Sequence, residues 1–351
     1  MPSHEVDEVD VALLDAMHAN PRASFERLAS VLGLSAVTVA RRWQRLSGTG
    51  RAWVSSVPGP RLALVGAVFQ VEAKPGETER VGRQLARIPQ VGSVYLTDGA
   101  FDVHALVFTD DMSTLSTLVF DHLPRVHGAA RVRTNVGVEW FSGTQWRLHA
   151  ISSGQERSVV EGEAPERNGD RTKTFNPTDR ALFLALQRDG RATYRDLADE
   201  LGTSDNQVRR RMTALNRAGL LGFRTDFARG EGGWRTELVL WLRVPAGQLR
   251  AAGTELSGWP ETRICLSLVG EANLLLMVQV HRVRELAAIL ERVAHAFPQV
   301  VALDQRVVLR PVKSWGRLLD DSGHSMGVVP VDPWALSPAS VSESIVETAA
   351  E

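Results

Sequence analysis

The sequence has little cysteine, little lysine and few aromatic residues, and the shortage of cysteine excludes two kinds of site. One cysteine, Cys265, in 351 residues excludes a disulfide framework and a cysteine-rich metal site, and is typical of a reducing cytosol. No stretch approaches 18 uninterrupted apolar residues, so no membrane-spanning segment is predicted. The first ten residues, MPSHEVDEVD, are acidic where a secretory signal has a basic and then an apolar run. We therefore expect a cytoplasmic protein with no membrane partner.

Charge is balanced over the whole chain. The 40 basic residues, of which only three are lysines, and the 41 acidic residues give a formal net charge of −1. A balanced total does not by itself indicate a nucleic-acid-binding protein, but it averages over regions that differ. At about 100 to 200 residues per domain, the length predicts two or three domains.

The chain contains an internal repeat. Residues 10–50 align without a gap to residues 179–219, with 16 identities in 41 positions. The chain therefore consists of two copies of one unit of about 150 residues. Residues 151–173, between the copies, are polar and aperiodic and are predicted to form a linker. Residues 318–351 are predicted to form a tail with little structure of its own.

Each unit begins with a pattern of three helices. Apolar residues recur at helical spacing, Gly202 follows the second helix of the second copy, and Ser204 with Gln207 matches a capping box. A short helix, a tight glycine turn and a second capped helix make a helix-turn-helix. The predicted helices span about residues 6–19, 24–32 and 36–48 in the first copy and 178–189, 193–201 and 205–218 in the second.

Arginines are concentrated on the third helix of each copy. Residues 35–53 contain four arginines and no acid, and residues 204–224 contain five arginines and one acid, so each segment carries a charge of +4. Charge runs usually cover a solvated face, but the recurrence of this run on both capped helices favours contact with the phosphates of double-stranded DNA. The candidate DNA-binding residues are Ser35, Thr38, Arg41, Arg42, Arg45, Ser204, Asn206, Gln207, Arg209, Arg210 and Arg211.

The second part of each unit alternates strands and helices. Residues 61–73, 91–110 and 130–140 are strand-like, and residues 76–88 and 111–123 are helical. The second copy repeats this order between residues 235 and 310. The order βαββαβ predicts an antiparallel sheet with helices on one face, so the fold class is α+β with ferredoxin-like domains.

These patterns together resemble the Lrp/AsnC (feast/famine) transcriptional regulators. The resemblance rests on L-x-x-x-L-G-x-S followed by Arg-Arg in both helical parts and on LTDGAFD at residues 96–102, and it covers about residues 6–141 and 178–316. It implies winged helix-turn-helix domains and sensor domains called RAM, which pair through their sheets and support self-association as a homodimer or larger assembly. The double length suggests a fused dimer. The expected divisions are residues 1–57 (first helix-turn-helix), 60–141 (first RAM), 151–173 (linker), 174–228 (second helix-turn-helix), 234–316 (second RAM) and 318–351 (tail).

The resemblance also implies a small-molecule effector, such as an amino acid, at the turn between the second and third RAM strands. Backbone N–H groups at a glycine turn suit a carboxylate, and Asp98 or Asp102 suits an ammonium group. In the second copy the second acid is an amide, although Glu271 can substitute for it. The alternative is that both are ordinary β-turns, in which glycine and aspartate are common. The candidate effector-binding residues are Thr97, Asp98, Gly99, Asp102, Gly270, Glu271 and Asn273.

Other chemistry-bearing residues favour structural roles. His104 alternates within a strand, Cys265 lies in an apolar strand, and Trp43 faces the first core by helical phase. His122 and His127 have no third ligand nearby, so no metal site is expected, and neither is a cofactor.

Two alternatives remain open. Siroheme decarboxylases share this architecture and are enzymes that lack DNA binding. They carry Arg/His-rich stretches early in the sensor domain, whereas residues 61–73 and 235–246 contain no histidine. The other alternative is a sensor that acts through protein contacts alone, because the first wing, GRAWVSSV, differs from GLLGFRTDF in the second copy.

Overall fold

The computed structural model describes residues 6–142, 146–160 and 175–335. The first unit runs through α1 (Glu8–Ala19), α2 (Phe25–Leu32), α3 (Ala36–Gly48), β1 (Ala52–Pro58), β2 (Val65–Ala73), α4 (Thr78–Ala86), β3 (Val91–Thr97), β4 (Val103–Thr109), α5 (Met112–Thr117) and β5 (Ala129–Ser142). After α6 (Ser153–Val160), the second unit runs through α7 (Pro177–Arg188), α8 (Tyr194–Leu201), α9 (Asp205–Arg217), β6 (Leu221–Phe227), β7 (Thr236–Arg243), α10 (Leu249–Ser257), β8 (Thr262–Leu268), β9 (Leu274–Val280), α11 (Glu285–Ala296) and β10 (Val301–Ser314), and then β11 (Arg317–Leu319) and β12 (Ser325–Val328). The predicted order of elements is confirmed in both units.

Local sequence signals end and begin the helices of both helix-turn-helix domains. Gly33 and Gly202 adopt left-handed φ angles of 67° and 63°, which turn the chain after α2 and α8. Ser35 and Ser204 then cap α3 and α9 by accepting hydrogen bonds from the backbone N–H three residues on. The predicted caps are confirmed.

The two wing strands join the helix-turn-helix domains to each other. β1 pairs with β6 in an antiparallel ladder from Ala52↔Phe227 to Pro58↔Leu221. At the centre of the ladder Ser55 pairs with Arg224, and these residues occupy the same position in the two copies. An antiparallel pair centred on equivalent residues has an approximate two-fold axis there. The two helix-turn-helix domains are therefore related as the subunits of a symmetric dimer are.

The strands of the two RAM domains close into one eight-stranded barrel. Their order is β10-β3-β4-β2-β5-β8-β9-β7, and β7 pairs again with β10. Closure depends on the 14-residue strands β5 and β10. The first part of each pairs within its own unit, with β2 and β7 respectively, and the last part pairs with β8 and β3 of the other unit. The predicted pairing of sensor sheets therefore occurs within the chain.

Side chains fill the barrel interior at the level of an aromatic cluster. Phe108 stacks on Trp140 at 5.3 Å between ring centroids and meets Trp315 edge-on at 5.0 Å. The apolar core around this cluster is continuous with the core of the second helix-turn-helix domain, whereas the first has a separate core that includes Trp43, as predicted. The helices pack on the outer faces of the sheets over two further apolar clusters.

Two predictions about connecting segments were wrong. The predicted linker begins with a helix, α6, and the buried carboxylate of Asp15 accepts hydrogen bonds from the N–H groups of Leu148, Ala150 and Ile151, which fasten the segment before α6 to α1. Residues 161–173 of the linker lie outside the described residues. The tail forms the β11–β12 hairpin, and the amide of Gln187 on α7 bonds to the backbone of Val331 in both directions, at 2.6 and 2.7 Å. Composition gave no signal for either long-range contact. Residues 336–351 lie outside the described residues.

No helix in the described ranges is long and apolar enough to cross a bilayer.

Candidate DNA interface and effector site

The third helix of each unit presents one face to solvent. Positions that are equivalent in α3 and α9 are exposed in both, including Arg41 and its counterpart Arg210. Val37 is 78% exposed, and its counterpart Asn206 is also exposed. The other exposed positions are Gln44, Ser47 and Gly48 on α3 and Asp205, Gln207, Arg209, Thr213, Ala214, Asn216 and Arg217 on α9. A duplex can reach these residues because the buried sides of the helices point into the two cores.

The second arginine of each Arg-Arg pair has an intramolecular partner. Arg42 forms ion pairs at 2.8 Å with Asp7 and Asp10 of the first helix region, and Arg45 also contacts Asp10. Arg211 pairs with Asp179, the counterpart of Asp10, whose side chain is only 5% exposed. These acids belong to the capping boxes that start α1 and α7. The ion pairs therefore hold the third helix against the first in each domain. Arg42, Arg45 and Arg211 were predicted to contact DNA, and the structure gives them these intramolecular partners instead.

The short polar residues at the starts of α3 and α9 also divide into those that have intramolecular partners and those that only face solvent. Ser35 Oγ lies 2.8 Å from Thr38 Oγ1 and accepts a hydrogen bond from the Thr38 N–H at 3.1 Å. Gln207 accepts a hydrogen bond from the Ser204 N–H at 3.3 Å, which completes a capping box. These four side chains hold the helix ends, whereas Asn206 lies fully on the exposed face.

The wing arginines are also paired, so the free positive charge is lower than the sequence count. Arg51 donates to Glu231 at 2.8 Å, and Arg224 donates to Asp226 at 2.8 Å. The charged residues that remain on the exposed helix faces are Arg41 in the first unit and, in the second, Arg209, Arg210 and Arg217 together with the acid Asp205.

Reciprocal contacts hold the two helix-turn-helix domains together. Arg22 donates to the carbonyl oxygens of Gly190 and Ala192, the latter at 3.1 Å. Its counterpart Arg191 donates to the carbonyl oxygens of Pro21 and Ala23 at 2.7 and 2.9 Å, which are the equivalent acceptors. The same guanidinium groups lie over aromatic rings of the opposite unit, 5.8 Å from Tyr194 and 4.7 Å from Phe25. Burial lowers the pKa of Arg191 to about 10, so it remains charged at neutral pH. This interface fixes one third helix relative to the other.

The first glycine turn lies against an arginine of the other unit. The Arg306 guanidinium packs directly on Gly99, because a Cβ built at Gly99 would lie 2.3 Å from Arg306 Cζ. Gly99 has a φ of 89°, which also favours glycine. The exposed Asp98 accepts a hydrogen bond from the Val307 N–H at 2.8 Å. A cation and a carboxylate from different units therefore meet at this turn.

The remaining residues of the predicted first site hold the turn itself. Thr97 donates from its hydroxyl to the Phe101 carbonyl at 3.2 Å. Asp102 accepts hydrogen bonds at both oxygens, from the Ala73 N–H at 2.9 Å and from the Thr78 hydroxyl at 2.5 Å. This geometry does not favour the predicted contact of Asp102 with an effector ammonium group, because both carboxylate oxygens already accept hydrogen bonds from the two ends of the loop between β2 and α4.

The second glycine turn has the same backbone role but different chemistry. Asn273 clasps the backbone of Val244 in both directions at 2.8 Å, as Asp102 clasps the loop of the first unit. Gly270 faces Asn135, the counterpart of Arg306, so this turn has an amide where the first has a cation. Glu271 is 76% exposed and lies 3.6 Å from Arg243.

Two predicted structural residues are packed as expected. His104 is 3% exposed and meets Trp241 edge-on at 5.7 Å, and burial lowers the pKa of His104 to about 4, so the ring is neutral at pH 7. Cys265 is fully buried, and burial raises the pKa of its thiol to about 12. Within the described ranges, no group of three or more His, Cys, Asp or Glu residues is placed to hold a metal ion.

A buried charge network connects the wings to the barrel. Asp226 on β6 accepts a hydrogen bond from Ser314 on β10 at 2.9 Å and lies 3.5 Å from Arg263 on β8. Arg229 donates to Glu237 on β7 at 2.9 Å. Burial acts to raise the pKa of Asp226, but the neighbouring guanidinium groups hold it far below its usual range, so the carboxylate stays ionised.

Two helix-turn-helix domains carried on paired ferredoxin-like domains define the class of protein by fold. The family model for the AsnC-type helix-turn-helix domain matches residues 6–47 and 176–216, and that for the Lrp/AsnC ligand binding domain matches residues 66–142. The HTH-type transcriptional regulator Rv2324 of Mycobacterium tuberculosis is 31% identical over 124 residues, which are 34% of this chain and 82% of that protein. The HTH-type transcriptional regulator Ptr1 of Methanocaldococcus jannaschii is 25% identical over 121 residues, with the same coverage. The chain belongs to the Lrp/AsnC family.

The double-unit arrangement also occurs in a solved structure. The crystal structure of the siroheme decarboxylase NirDL matches 98% of this chain and 100% of its own, with a TM-score of 0.57 and 12% identity. At this identity the likeness shows a shared fold and no more.

Sequence reasoning missed the residues that act between the units. Arg306 is more than 200 residues from Gly99, and Arg22 and Arg191 were visible only as one identity in the repeat. The equivalence of Arg306 with Asn135 follows from the strand register, in which Arg306 pairs with Val239 and Asn135 with Val68, and no signal for it was present in the sequence.

Proposed function

We propose that this protein is a sequence-specific DNA-binding transcriptional regulator of the Lrp/AsnC type. The observation that carries the proposal is the pair of exposed, equivalent arginines, Arg41 and Arg210, on third helices that the wing ladder and the Arg22/Arg191 contacts hold in a two-fold arrangement. Operators of two-fold regulators contain inverted half-sites, and the N-terminal part of each third helix enters the major groove. The chain therefore carries, in one polypeptide, the two DNA-reading helices that the two subunits of a dimer usually provide.

We propose that a small effector with a carboxylate and an ammonium group, such as an amino acid, binds at the first glycine turn. Arg306 suits the carboxylate, since its buried Nε has no hydrogen-bond partner among the described residues, although its Nη2 forms an ion pair with Asp304 at 2.9 Å; Asp98 suits the ammonium group. Gly270 faces Asn135 and lacks this cation. One effector per chain is therefore expected rather than two.

We expect the buried charge network to transmit effector binding from the barrel to the wing strand β6 of the second helix-turn-helix domain. Arg306 is on β10, and β10 also carries Ser314, which bonds to Asp226 of the wing. A ligand that shifts β10 changes the position of β6 and so the separation of the third helices. By linkage, DNA then changes the affinity for the effector by the same factor.

DNA binding is tested with the region upstream of the protein's own gene. Fluorescence anisotropy at several salt concentrations measures affinity and its salt dependence. Replacing both Arg41 and Arg210 with alanine should reduce the slope of log K against log salt by about 2, since each phosphate contact contributes about 0.9. Absence of binding to this region and to a random library would refute the proposal and favour a sensor that acts through protein contacts.

Effector binding is tested by calorimetric titration with the twenty amino acids. The expected result is heat from one or a few of them, with one site per chain, and its loss in Arg306→Ala. A matched control is Asn135→Ala at the second turn, which should retain the heat. No heat with any amino acid would leave both glycine motifs as ordinary turns.

A second candidate is the activity in the name of NirDL, siroheme decarboxylation, because the two chains share the double-unit fold. Another NirDL structure contains an iron-uroporphyrin III analogue. Adding siroheme or heme and recording the absorption spectrum distinguishes the candidates. A regulator should show no stoichiometric bound chromophore after gel filtration, whereas an enzyme of the NirDL kind should retain one.

A further inference from the structure

We propose that the protein binds an asymmetric operator, whose two inverted half-sites differ in sequence, and that it does so in one orientation. This inference rests on the proposed DNA-binding function and adds the kind of DNA that is recognised. The inference follows because the backbone is symmetric, whereas the exposed faces of α3 and α9, the two reading surfaces, differ in sequence.

The backbone geometry is that of a two-fold pair. The β1–β6 ladder is centred on equivalent residues, and the contacts of Arg22 in one direction are repeated by Arg191 in the other. Both third helices therefore meet a duplex at equivalent depths and angles. In a homodimer this arrangement requires a palindrome, because the two surfaces are identical.

Here the two reading surfaces differ at the position that enters the groove first. The second residue of α3 is Val37, 78% exposed, and the second residue of α9 is Asn206. An asparagine amide pairs with the N6 and N7 atoms of adenine, whereas the valine methyl groups suit the C5-methyl group of thymine. The next position that is exposed in both helices is arginine, Arg41 and Arg210, and gives no discrimination between the halves.

The flanks of the helices differ in charge. Arg209, Arg217 and the acid Asp205 are exposed on α9, and their counterparts on α3 are Ala40, Gly48 and Ala36. The Arg209 guanidinium lies 5.0 Å over the Tyr194 ring, which orients it beside the helix. The α9 half of the protein therefore makes more phosphate contacts than the α3 half and contributes more of the salt-dependent affinity.

The first experiment is selection of DNA from a random library with the full chain. Two inverted but unequal half-sites are expected, with adenine preferred at the Asn206 position of one and thymine at the corresponding Val37 position of the other. Selection of palindromes, bound as tightly as the unequal site, would overturn the inference and leave the proposed function intact. Failure to select any sequence would overturn the proposed function itself.

Orientation is measured with an iron chelate that cleaves nearby DNA. Gln44→Cys and Thr213→Cys place a reactive thiol at equivalent exposed positions of α3 and α9. The native Cys265 is fully buried and stays unlabelled, so each variant carries a single chelate. On the selected operator, one variant should cut one half-site and the other variant the opposite half-site. Cleavage of both half-sites by each variant would show that the chain binds in two orientations and would overturn the inference.

A reciprocal pair of substitutions tests the residues. Val37→Asn should raise affinity for a palindrome of two α9 half-sites by about 5- to 150-fold relative to the unequal operator, the range for one base-specific contact. Asn206→Val should do the same for a palindrome of two α3 half-sites. Both positions are exposed, so neither change removes core packing. Unchanged ratios in both variants would overturn the assignment of these positions as the source of asymmetry.

Discussion

The two arginines of the second Arg-Arg pair should have separable roles, although they are neighbours in the sequence. Arg211→Ala removes the partner of Asp179, whose side chain is 5% exposed, while the Arg211 side chain is 41% exposed. Breaking a fully buried pair costs about 3 to 5 kcal/mol and an exposed pair about 0 to 1, so this half-exposed pair should cost about 1 to 2 kcal/mol. For a cooperative unit of about 150 to 250 residues this corresponds to a fall in Tm of about 2 to 8 °C. Arg210→Ala should change Tm by less than about 2 °C, because the side chain is exposed.

DNA binding should show the opposite pattern. Arg210→Ala should reduce the slope of log K against log salt by about 0.9, while Arg211→Ala should leave the slope unchanged. Scanning calorimetry and anisotropy titrations between 50 and 200 mM salt, roughly the range over which such slopes are measured, give both values. Arg41→Ala and Arg42→Ala are the matched pair in the first unit. If Arg211→Ala lowered the slope as much as Arg210→Ala and left Tm unchanged, the ion pair with Asp179 would not be the role of Arg211.

Three further outcomes follow from two buried side chains, His104 and Cys265, and the half-buried Asp102. His104→Leu, which copies Leu275 of the second unit, should remove the contribution of His104 to the pH dependence of stability. The folded pKa of about 4 lies below the ordinary 6.5, so this contribution falls as pH drops from 6.5 to 4, and the variant should gain about 2 kcal/mol relative to wild type between pH 7.5 and pH 5 in urea titrations. Asp102→Asn, which copies Asn273, should leave Tm unchanged. Asp102→Ala should lower the free energy of unfolding by about 1 to 3 kcal/mol, because the backbone N–H of Ala73 loses its acceptor. Equal losses of stability in the two variants would contradict this role of the Asp102 side chain. Cys265 should react with a thiol reagent only in denaturant, and rapid labelling of the native protein would show that it is accessible.

Much of the fold was readable from the sequence because its signals are local. The serine caps, the glycines that end α2 and α8 and the alternation of strands each depend on hydrogen bonds or packing within a few residues. The repeat then gave the same signals a second time, in the other copy. Helical phase placed Trp43 on the core side, and Arg41 and Arg210 were among the predicted DNA-binding arginines, but the sequence did not separate them from Arg42 and Arg211.

The prediction of positive charge on the third helices was less complete, because a run of arginines in the sequence does not show which acids they pair with in the fold. Asp10 is 32 residues from Arg42, and Asp179 is equally far from Arg211. Only the packing of the first helix against the third brings each acid within reach. A count of charges along the third helix therefore overstated the number available to DNA.

The sequence by itself determined the two units, the helices and strands of each, and the faces that the helices bury, since the periodicity of side chains and the chemistry of caps act over one or two turns. The tertiary structure alone decided that β5 and β10 cross to the other unit and close the barrel, that Arg306 lies on Gly99, and that the chain after β10 returns to α7. These contacts join residues more than a hundred positions apart. Their free energy comes from burying surfaces that exist only after both units have folded, so no local pattern encodes them.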